Sequence, residues 1–220
     1  MEVKLKKALT VANVINKRIK LIEFSDVDPE LYNAFGDPQD RGVWFIWGGS
    51  GSGKSSLALG ITKAFCYKTT ALHNELEEEV DDYDFIQRLK LKNMQDVQGN
   101  FWTASYNYEE LCAFLDKRNS PKVVVINSAT YFFEGGIQQY FEFTRRYKRR
   151  KIIIILGMAQ GKNPYSELEK RIMYDANKKI FCDGYLASCK GRTIGPNGGT
   201  YIIWQEGYER LRGSENDEND

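Results

Sequence analysis

One glycine-rich stretch has the residue types and spacing that bind the phosphates of a nucleotide. It reads Gly48-Gly49-Ser50-Gly51-Ser52-Gly53-Lys54-Ser55-Ser56, and it satisfies the pattern G-x-x-x-x-G-K-[ST] at every required position. Glycines let consecutive backbone N–H groups turn toward one phosphate, and a helix that begins near Lys54 directs its positive end at the same anion. We therefore expect a nucleoside triphosphate here, with Lys54 at its β- and γ-phosphates and the Ser55 hydroxyl on Mg²⁺.

The residues on either side of this loop predict a buried strand before it and a helix after it. The run from Val43 to Trp47 is continuously apolar and stops at Gly48, which is typical of a strand that is buried on both faces. Residues 55–67 carry apolar side chains at helical spacing. The alternative is an ordinary glycine-rich turn that happens to match the pattern, but the order strand, loop and helix favours phosphate binding.

Further strands and helices alternate along the chain. The predicted strands cover residues 69–74, 101–103, 122–127 and 151–156, and the predicted helices cover residues 82–95, 108–117 and 137–150. This alternation predicts an α/β fold, with a mostly parallel sheet that is flanked by helices. Segments 178–187 and 200–204 are joined by a glycine-rich stretch, and they predict a C-terminal β-hairpin addition.

The composition divides the chain into three parts. We interpret residues 1–41 as an N-terminal arm and a connecting loop, because the apolar pattern there is short and the turn-rich segment 26–41 follows it. Residues 42–212 hold the predicted core, for which the chain of 220 residues is long enough. Residues 213–220 are acidic and almost free of apolar side chains, which predicts a disordered tail.

The overall charge excludes some classes of protein. Lys and Arg total 31 and Asp and Glu total 30, so any contact with nucleic acid must be local.

No apolar run reaches the roughly 20 residues of a membrane helix, and the N-terminus lacks the apolar core of a secretory signal, so we expect a cytoplasmic protein without a membrane partner. The four cysteines form no C-x-x-C pair and the chain has one histidine, which predicts reduced, buried thiols.

Polar residues follow the other predicted strands. Glu77 and Glu78 come just after the second strand, where a carboxylate could activate water; alternatively, this acidic run is a solvated helix start. Asn127 stands where a Walker B acid is expected, and its amide can accept a hydrogen bond from metal-bound water but carries no charge. Gln160 follows the predicted strand 151–156, where a polar amide could sense the γ-phosphate.

The order of these motifs resembles the RecA-like ATPase core, in the branch of RadA, DnaB and small ATPases of phages and mobile elements. The resemblance covers about residues 27–210, and it is carried by the Walker A loop, Leu76-Glu77-Glu78, Asn127-Ser128, Gln160 and Lys190-Gly191-Arg192-Thr193-Ile194-Gly195-Pro196. It implies ATP and Mg²⁺ as cofactors, with Ser55 and Asn127 at the metal. It also implies Glu77 or Glu78 as the water-activating base and Gln160 as the γ-phosphate sensor.

The same resemblance implies an oligomer, as a ring or a filament. The K-x-R-x-x-G-P stretch resembles the segment that inserts a lysine and an arginine finger into the neighbouring subunit's site, which assigns Lys190 and Arg192 as residues that act in trans. The alternative for this pair is two solvated charges on a hairpin turn. Single-stranded DNA is the implied partner, through loops 131–136 and 161–165, whose aromatic residues could stack on bases. Alternatively, Phe132 and Phe133 pack into the core or a subunit contact.

Three interpretations of the function follow. The leading one is a RecA-like ATPase that works as an oligomer on single-stranded nucleic acid in replication or recombination of a phage or mobile element. A nucleotide-gated scaffold with little hydrolysis is an alternative because of Asn127. A small-molecule kinase is a further alternative, although the sequence has no obvious Arg-rich lid.

Six of the seven residues from Arg145 to Lys151 are cations; we interpret them as a solvated helix end, with nucleic-acid contact as the alternative.

Overall fold

The computed structural model describes residues 7–191 and 193–217, with side chains described as far as residue 211. The strands are β1 (Gly42–Gly48), β2 (Ala71–Glu75), β3 (Phe101–Ala104), β4 (Val123–Asn127), β5 (Ile152–Gln160), β6 (Asn163–Pro164), β7 (Lys178–Asp183), β8 (Leu186–Gly191) and β9 (Thr200–Ile202). The helices are α1 (Val11–Ile15), α2 (Pro29–Phe35), α3 (Lys54–Cys66), α4 (Tyr83–Leu91), α5 (Tyr108–Leu115), α6 (Ala129–Phe132), α7 (Gly136–Tyr147), α8 (Glu167–Asp175) and α9 (Gln205–Asp217), and a 3₁₀ turn covers Met94–Val97.

The strands form a single mixed sheet in the order β3-β2-β4-β5-β1-β7-β8-β9, and β6 pairs with the end of β5. All neighbours from β3 to β7 are parallel, whereas β7, β8 and β9 pair antiparallel. The predicted α/β class, with a mostly parallel sheet and an antiparallel C-terminal addition, is therefore confirmed.

The central strand β1 shows why its sequence has no polar alternation. Trp44 and Ile46 lie in a core that they share with residues of α2 and α3. Phe45 and Trp47 point into a second core, which they share with residues of α5, α7 and α8. Because helices cover both faces of the sheet, every residue of β1 is buried.

The register of the parallel strands brings their carboxyl ends to the same edge of the sheet. Gly48 at the end of β1 lies level with Met158 of β5, and Glu75 at the end of β2 lies beside Asn127 at the end of β4. Ligand sites of open α/β sheets lie at this edge. The edge therefore collects the glycine-rich loop and the polar residues that follow β2, β4 and β5.

The structure differs from the sequence-based prediction in the segment before β1. Residues 26–41 are predicted as a loop, but they contain α2. Asp28 caps this helix by accepting a hydrogen bond from the Leu31 N–H at 2.9 Å, and Pro29 occupies the first turn. A capping aspartate that is followed by proline is a helix-start signal. Leu31 and Phe35 are buried in the same core as Trp44 of β1, so this segment packs on the sheet.

The C-terminal part also differs in detail. Residues 178–187 are predicted as one β segment, but they contain the turn between β7 and β8. The two central residues of that turn, Gly184 and Tyr185, have φ values of +50° and +61°, as in a two-residue hairpin of type I′. This turn divides the predicted single segment into two antiparallel strands. Helix α9 extends to Asp217, within the segment that is predicted to be disordered.

All four cysteines are buried and free of disulfides. In the described part of the chain, no helix combines the length and the apolar character needed to cross a membrane.

Candidate functional site

The glycine-rich loop between β1 and α3 depends on glycine for its backbone path. Gly51 and Gly53 have φ values of +72° and +93°, which lie in the left-handed region that glycine adopts without steric strain. At Gly48, a Cβ atom would lie 2.3 Å from the carbonyl oxygen of Cys182 and 2.5 Å from Ser52 Oγ. A side chain at this position would therefore push the loop away from β7.

The start of α3 has unused hydrogen-bond donors. Gly53 precedes the helix, and no side chain caps it. The first N–H groups of any α-helix have no acceptor within the helix. Ser52 Oγ is buried and has no hydrogen-bond partner among the described residues. An uncapped helix start beside an orphaned buried hydroxyl fits an anion such as the phosphate groups of ATP.

Lys54 brings a buried positive charge into this loop. Its side-chain nitrogen donates a hydrogen bond to the carbonyl oxygen of Gly49 at 2.8 Å. Burial lowers the pKa of the Lys54 ammonium, while the negative charge of Glu77 acts in the opposite direction. A buried ammonium gains more from a phosphate oxygen than from a neutral carbonyl, because charged acceptors form the stronger hydrogen bonds. Ser55 follows in the first turn of α3 and is half-buried.

A buried carboxylate that the sequence does not predict lies at the same edge of the sheet. Glu75, the last residue of β2, is 0% exposed and Asn127 is 2% exposed. Asn127 Nδ2 donates to both carboxylate oxygens of Glu75 at 2.8 Å. The Glu77 N–H donates to Glu75 Oε1 at 3.0 Å, and His73 Nε2 lies 3.1 Å from Oε2. Polar groups on three sides therefore hold this carboxylate in place.

These contacts decide the charge of Glu75. Burial alone would raise the pKa of its carboxyl group, but the hydrogen bond and charge of His73 and the hydrogen bonds from Asn127 and the Glu77 N–H outweigh burial. The net pKa of Glu75 lies below its ordinary value, so the group is ionised near neutral pH. A Walker B acid would place a negative charge at the end of β4, in the position of Asn127. In this protein the negative charge lies on the adjacent strand β2, at Glu75.

The structure separates the two glutamates that are predicted as alternatives for the base. Glu78 forms an ion pair with Arg88 of α4. Glu77 is exposed and lies near enough to Lys54 for its charge to raise the pKa of that ammonium. Glu77 is therefore the better placed of the two to meet a triphosphate in the loop.

The remaining predicted residues lie farther from the loop. Gln160 is exposed and pairs with Asn163 in a short hairpin, beyond the level of Gly48. Lys190 lies opposite Lys179, which is level with Phe45. At about 3.3 Å per residue, Lys190 lies about 10 Å below the level of Gly48, toward the amino end of the sheet. Lys190 therefore does not reach the loop of its own chain, and Arg192 lies outside the described residues.

The aromatic residues of the two predicted nucleic-acid loops divide into buried and exposed ones. Phe132 and Phe133 are each 2% exposed and belong to the core on the α7 side of the sheet, so for them the alternative of core packing is the correct one. Tyr131 and Tyr165 are 59% and 64% exposed. Only these tyrosines of the two loops have faces that a base could stack on.

An apolar pocket that the sequence does not predict adjoins the start of α3. Its wall includes Ser56, Leu91, Tyr185, Ile203 and Trp204. The Tyr185 and Trp204 rings meet edge to face, with centroids 5.0 Å apart. A Cβ at position 53 would lie 3.2 Å from both Ile203 and Tyr185, so the pocket touches the phosphate loop. A planar base could lie on this wall while its phosphates occupy the loop.

Comparison with known proteins identifies the fold. No protein-family model matches the chain, and no curated protein matches it. Among solved structures, the flagellar accessory protein FlaH from Methanocaldococcus jannaschii is 16% identical, with a TM-score of 0.58 over 84% of this chain and 92% of that chain. A KaiC-like protein from Pyrococcus horikoshii is also 16% identical, with a TM-score of 0.57 over 84% of this chain and 98% of that chain. The chain has the RecA-like P-loop NTPase fold.

A third RecA-like structure is a more distant match. The ATP synthase subunit NeqB from Nanoarcheaum equitans is 12% identical, with a TM-score of 0.51, and the match covers 70% of this chain and 48% of that chain. These likenesses confirm the predicted RecA-like fold. The assignment to the branch of RadA and DnaB, and to phages or mobile elements, stays a prediction.

Proposed function

We propose that this protein binds ATP and Mg²⁺ at the loop from Gly48 to Ser56 and hydrolyses ATP as an oligomer that acts on single-stranded nucleic acid. The observation that carries the proposal is the uncapped start of α3, together with the buried ammonium of Lys54 and the unpaired hydroxyl of Ser52 in the adjoining loop. Donors of this kind bind phosphate groups. The fold comparisons support the nucleotide-binding part of this proposal.

In this proposal, each polar group around the loop has a separate task. Lys54 exchanges its bond to the Gly49 carbonyl for a bond to the β- and γ-phosphates. Ser55 and Asn127 are the residues that would hold Mg²⁺, through the hydroxyl and through a metal-bound water. Mg²⁺ would neutralise charge on the β- and γ-phosphates. The carboxylate of Glu75 fixes the Asn127 amide by accepting from its Nδ2, which leaves Oδ1 as the atom that can face that water.

The chemical step needs a base and a group that senses the γ-phosphate. Glu77 accepts a proton from the attacking water as the water oxygen bonds to the γ-phosphorus and the bond to the β–γ bridging oxygen breaks. Gln160 contacts the γ-phosphate from the carboxyl end of β5, where it pairs with Asn163 of β6. Lys190 and Arg192 stabilise the transferring group from a neighbouring copy. The position of Lys190 near the amino end of the sheet supports action in trans, since it does not reach its own loop.

The base of the nucleotide is proposed to lie in the apolar pocket beside Ser56. Trp204 is 42% exposed there, so a bound base would cover a part of its ring that is now in water. Binding of ATP is expected to change the fluorescence of Trp204. Trp204→Phe would remove that signal while most of the affinity remains, because a phenyl ring can still stack on the base.

Equilibrium binding of a fluorescent ATP analogue tests the proposed nucleotide site. Lys54→Ala is expected to weaken binding by about tenfold or more, because the charge-assisted hydrogen bond contributes about 1.5–3 kcal/mol. The matched control is Lys63→Ala, on the same helix, where the side chain forms a surface ion pair with Asp96. Wild-type affinity in Lys54→Ala, or an equal loss in both variants, would refute the proposed site.

A nucleotide-gated scaffold with little hydrolysis is the second candidate. The neutral amide at Asn127 and the full set of hydrogen bonds around Glu75 favour it, because both groups are already engaged with each other. Measurement of phosphate release distinguishes the two functions. Steady release that disappears in Lys54→Ala supports hydrolysis, whereas ATP binding without release supports the scaffold.

A further inference from the structure

A basic cleft lies at the amino end of the sheet, opposite the glycine-rich loop. It has a volume of about 520 Å³, and its walls include Arg41, Lys148, Arg149, Lys179, Lys190 and Tyr174. Arg41 directly precedes β1, whereas Lys179 and Lys190 face each other across β7 and β8. The cleft therefore collects cations from parts of the chain that are far apart in sequence.

This convergence is not explained by the end of a helix. The run from Arg145 to Lys151 is interpreted from the sequence as a solvated helix end, and Lys148 and Arg149 do follow α7. Arg41, Lys179 and Lys190 belong to other elements, so complementing the dipole of α7 gives no reason for their placement. The fold itself assembles the positive charge of this cleft.

The cations of the cleft have little compensation by carboxylates. Lys148 pairs with Asp175 at 3.1 Å, and Asp175 also accepts a hydrogen bond from the Tyr140 hydroxyl at 2.8 Å. Within the described part of the chain, the other four cations form no ion pair. The net charge of the chain is +1, so this is a local concentration of charge. Gathering like charges in a concave site raises its potential and attracts anions.

We propose that this cleft binds the phosphodiester backbone of single-stranded nucleic acid, with Tyr174 stacked on a base. The tyrosine ring is 70% exposed at the wall of the cleft. Exposed aromatic rings among cations bind single strands of any sequence, because every base has a π-face. The inference rests on the proposed function for the kind of partner, and it gives that partner a site other than the loops at the carboxyl end. Lys190 lines the cleft, but the proposed function places it in the site of a neighbouring copy, so Arg41, Lys148, Arg149 and Lys179 are the cations proposed to bind the strand.

The loops at the carboxyl end are poorly suited to phosphates. Residues 131–136 contain no cation and include Glu134, and residues 161–165 contain the single cation Lys162. These two loops together therefore have no net positive charge. Backbone phosphates supply most of the affinity for nucleic acid, and they need lysine and arginine.

The experiment measures the anisotropy of a labelled oligo-dT and a labelled oligo-rU at several salt concentrations, with ATP present. Arg149→Glu and Lys179→Glu test the cleft, and Lys162→Glu tests the loop after β5 with the same change in net charge. The cleft variants are expected to weaken binding of both probes by about tenfold and to lower the log–log salt slope by about one each. Lys162→Glu is expected to stay within about twofold of the wild type.

Tyr174→Ala adds a test that leaves the charge unchanged. It is expected to weaken binding by about fivefold or more without a change in salt slope, since stacking contributes about 1–3 kcal/mol per base. Tyr174→Phe should restore most of the affinity. A loss of affinity in Tyr174→Ala that the phenylalanine variant does not restore would count against stacking.

Three results would overturn the proposal. One is loss of binding in Lys162→Glu but not in the cleft variants. The second is wild-type protein that binds ATP but neither labelled strand, which leaves the nucleotide site intact while the cleft fails. The third is that the cleft variants have a lower molar mass by light scattering than the wild type, while each assembled copy binds the strand with unchanged affinity. That result would make the cleft a contact between copies. ATP affinity and thermal unfolding, measured on every variant, confirm that each one folds.

Discussion

The substitution Asn127→Asp tests why an amide stands at the end of β4. In the wild-type protein, Asn127 Nδ2 donates to both oxygens of Glu75 at 2.8 Å. The aspartate variant would place two buried carboxylates in that contact. Two unit charges 2.8 Å apart repel each other by about 6 kcal/mol at an effective dielectric constant of about 20. Both groups cannot remain ionised without a large loss of stability.

Binding a proton is the less costly way to relieve this repulsion. The ordinary pKa of a glutamate side chain is 4.5, so holding one proton on the pair at pH 7 costs about 3.4 kcal/mol. The cost falls to about 0.7 kcal/mol at pH 5. We therefore expect Asn127→Asp to lower the midpoint of thermal unfolding by about 7–14 °C at pH 7, and by much less at pH 5.

The reciprocal double variant is the control for this prediction. Glu75→Gln combined with Asn127→Asp again places one carboxylate beside one amide, so most of the lost stability should return. Urea unfolding at pH 7 and pH 5 measures all three proteins. Equal stability of Asn127→Asp and the wild type at pH 7, or no recovery in the double variant, would show that Glu75 does not carry the negative charge at this edge.

Three other predictions test the site from different sides. Glu77→Gln should reduce phosphate release by about 100-fold or more while ATP binding survives. Glu78→Gln should have a small effect, because Glu78 pairs with Arg88. Equal effects of the two substitutions would show that Glu77 is not the base. Gly48→Ala should lower the midpoint of thermal unfolding by about 4 °C or more, because its Cβ would lie 2.3 Å from a carbonyl oxygen. Gly49→Ala is the control, since a Cβ at that position has nothing within 4 Å. Similar midpoints for the two variants would argue against the close packing of the loop at Gly48. Because the pKa of Glu75 is lowered, the stabilisation that its charge contributes is complete above pH 4.5 and is lost as the pH falls below that value. The difference in stability between the wild type and Glu75→Gln should therefore shrink in acid. A constant difference from pH 6 to pH 3 would contradict this prediction.

The parts of the fold that the sequence predicts are those with local signals. The apolar runs of β1, β4 and β5 predict buried strands because helices cover both faces of the sheet. The spacing of the glycines, Lys54 and Ser55 predicts the glycine-rich loop because the pattern is contained within the eight residues from Gly48 to Ser55. The capping pair Ser166 and Glu169 is also a local signal, and it marks the start of α8, a helix that is absent from the predicted elements.

The parts of the site that the sequence does not predict depend on tertiary structure. The position of Glu75 opposite Asn127 follows from the register of two strands that are far apart in the chain. The predicted strand ends at Asn74. Glu75, the last residue of β2 in the structure, is therefore predicted to belong to the acidic segment that follows the strand. The pocket beside the loop needs the turn at Tyr185 to meet Trp204, and no periodicity in the sequence encodes that contact.

A crystal structure with a non-hydrolysable ATP analogue and Mg²⁺ shows directly whether the glycine-rich loop binds phosphate. We expect a triphosphate within hydrogen-bond distance of the backbone N–H groups of the loop, with the Lys54 ammonium moved from the Gly49 carbonyl to a phosphate oxygen. Crystals in which Lys54 remains on Gly49 while the nucleotide lies elsewhere on the protein would contradict it.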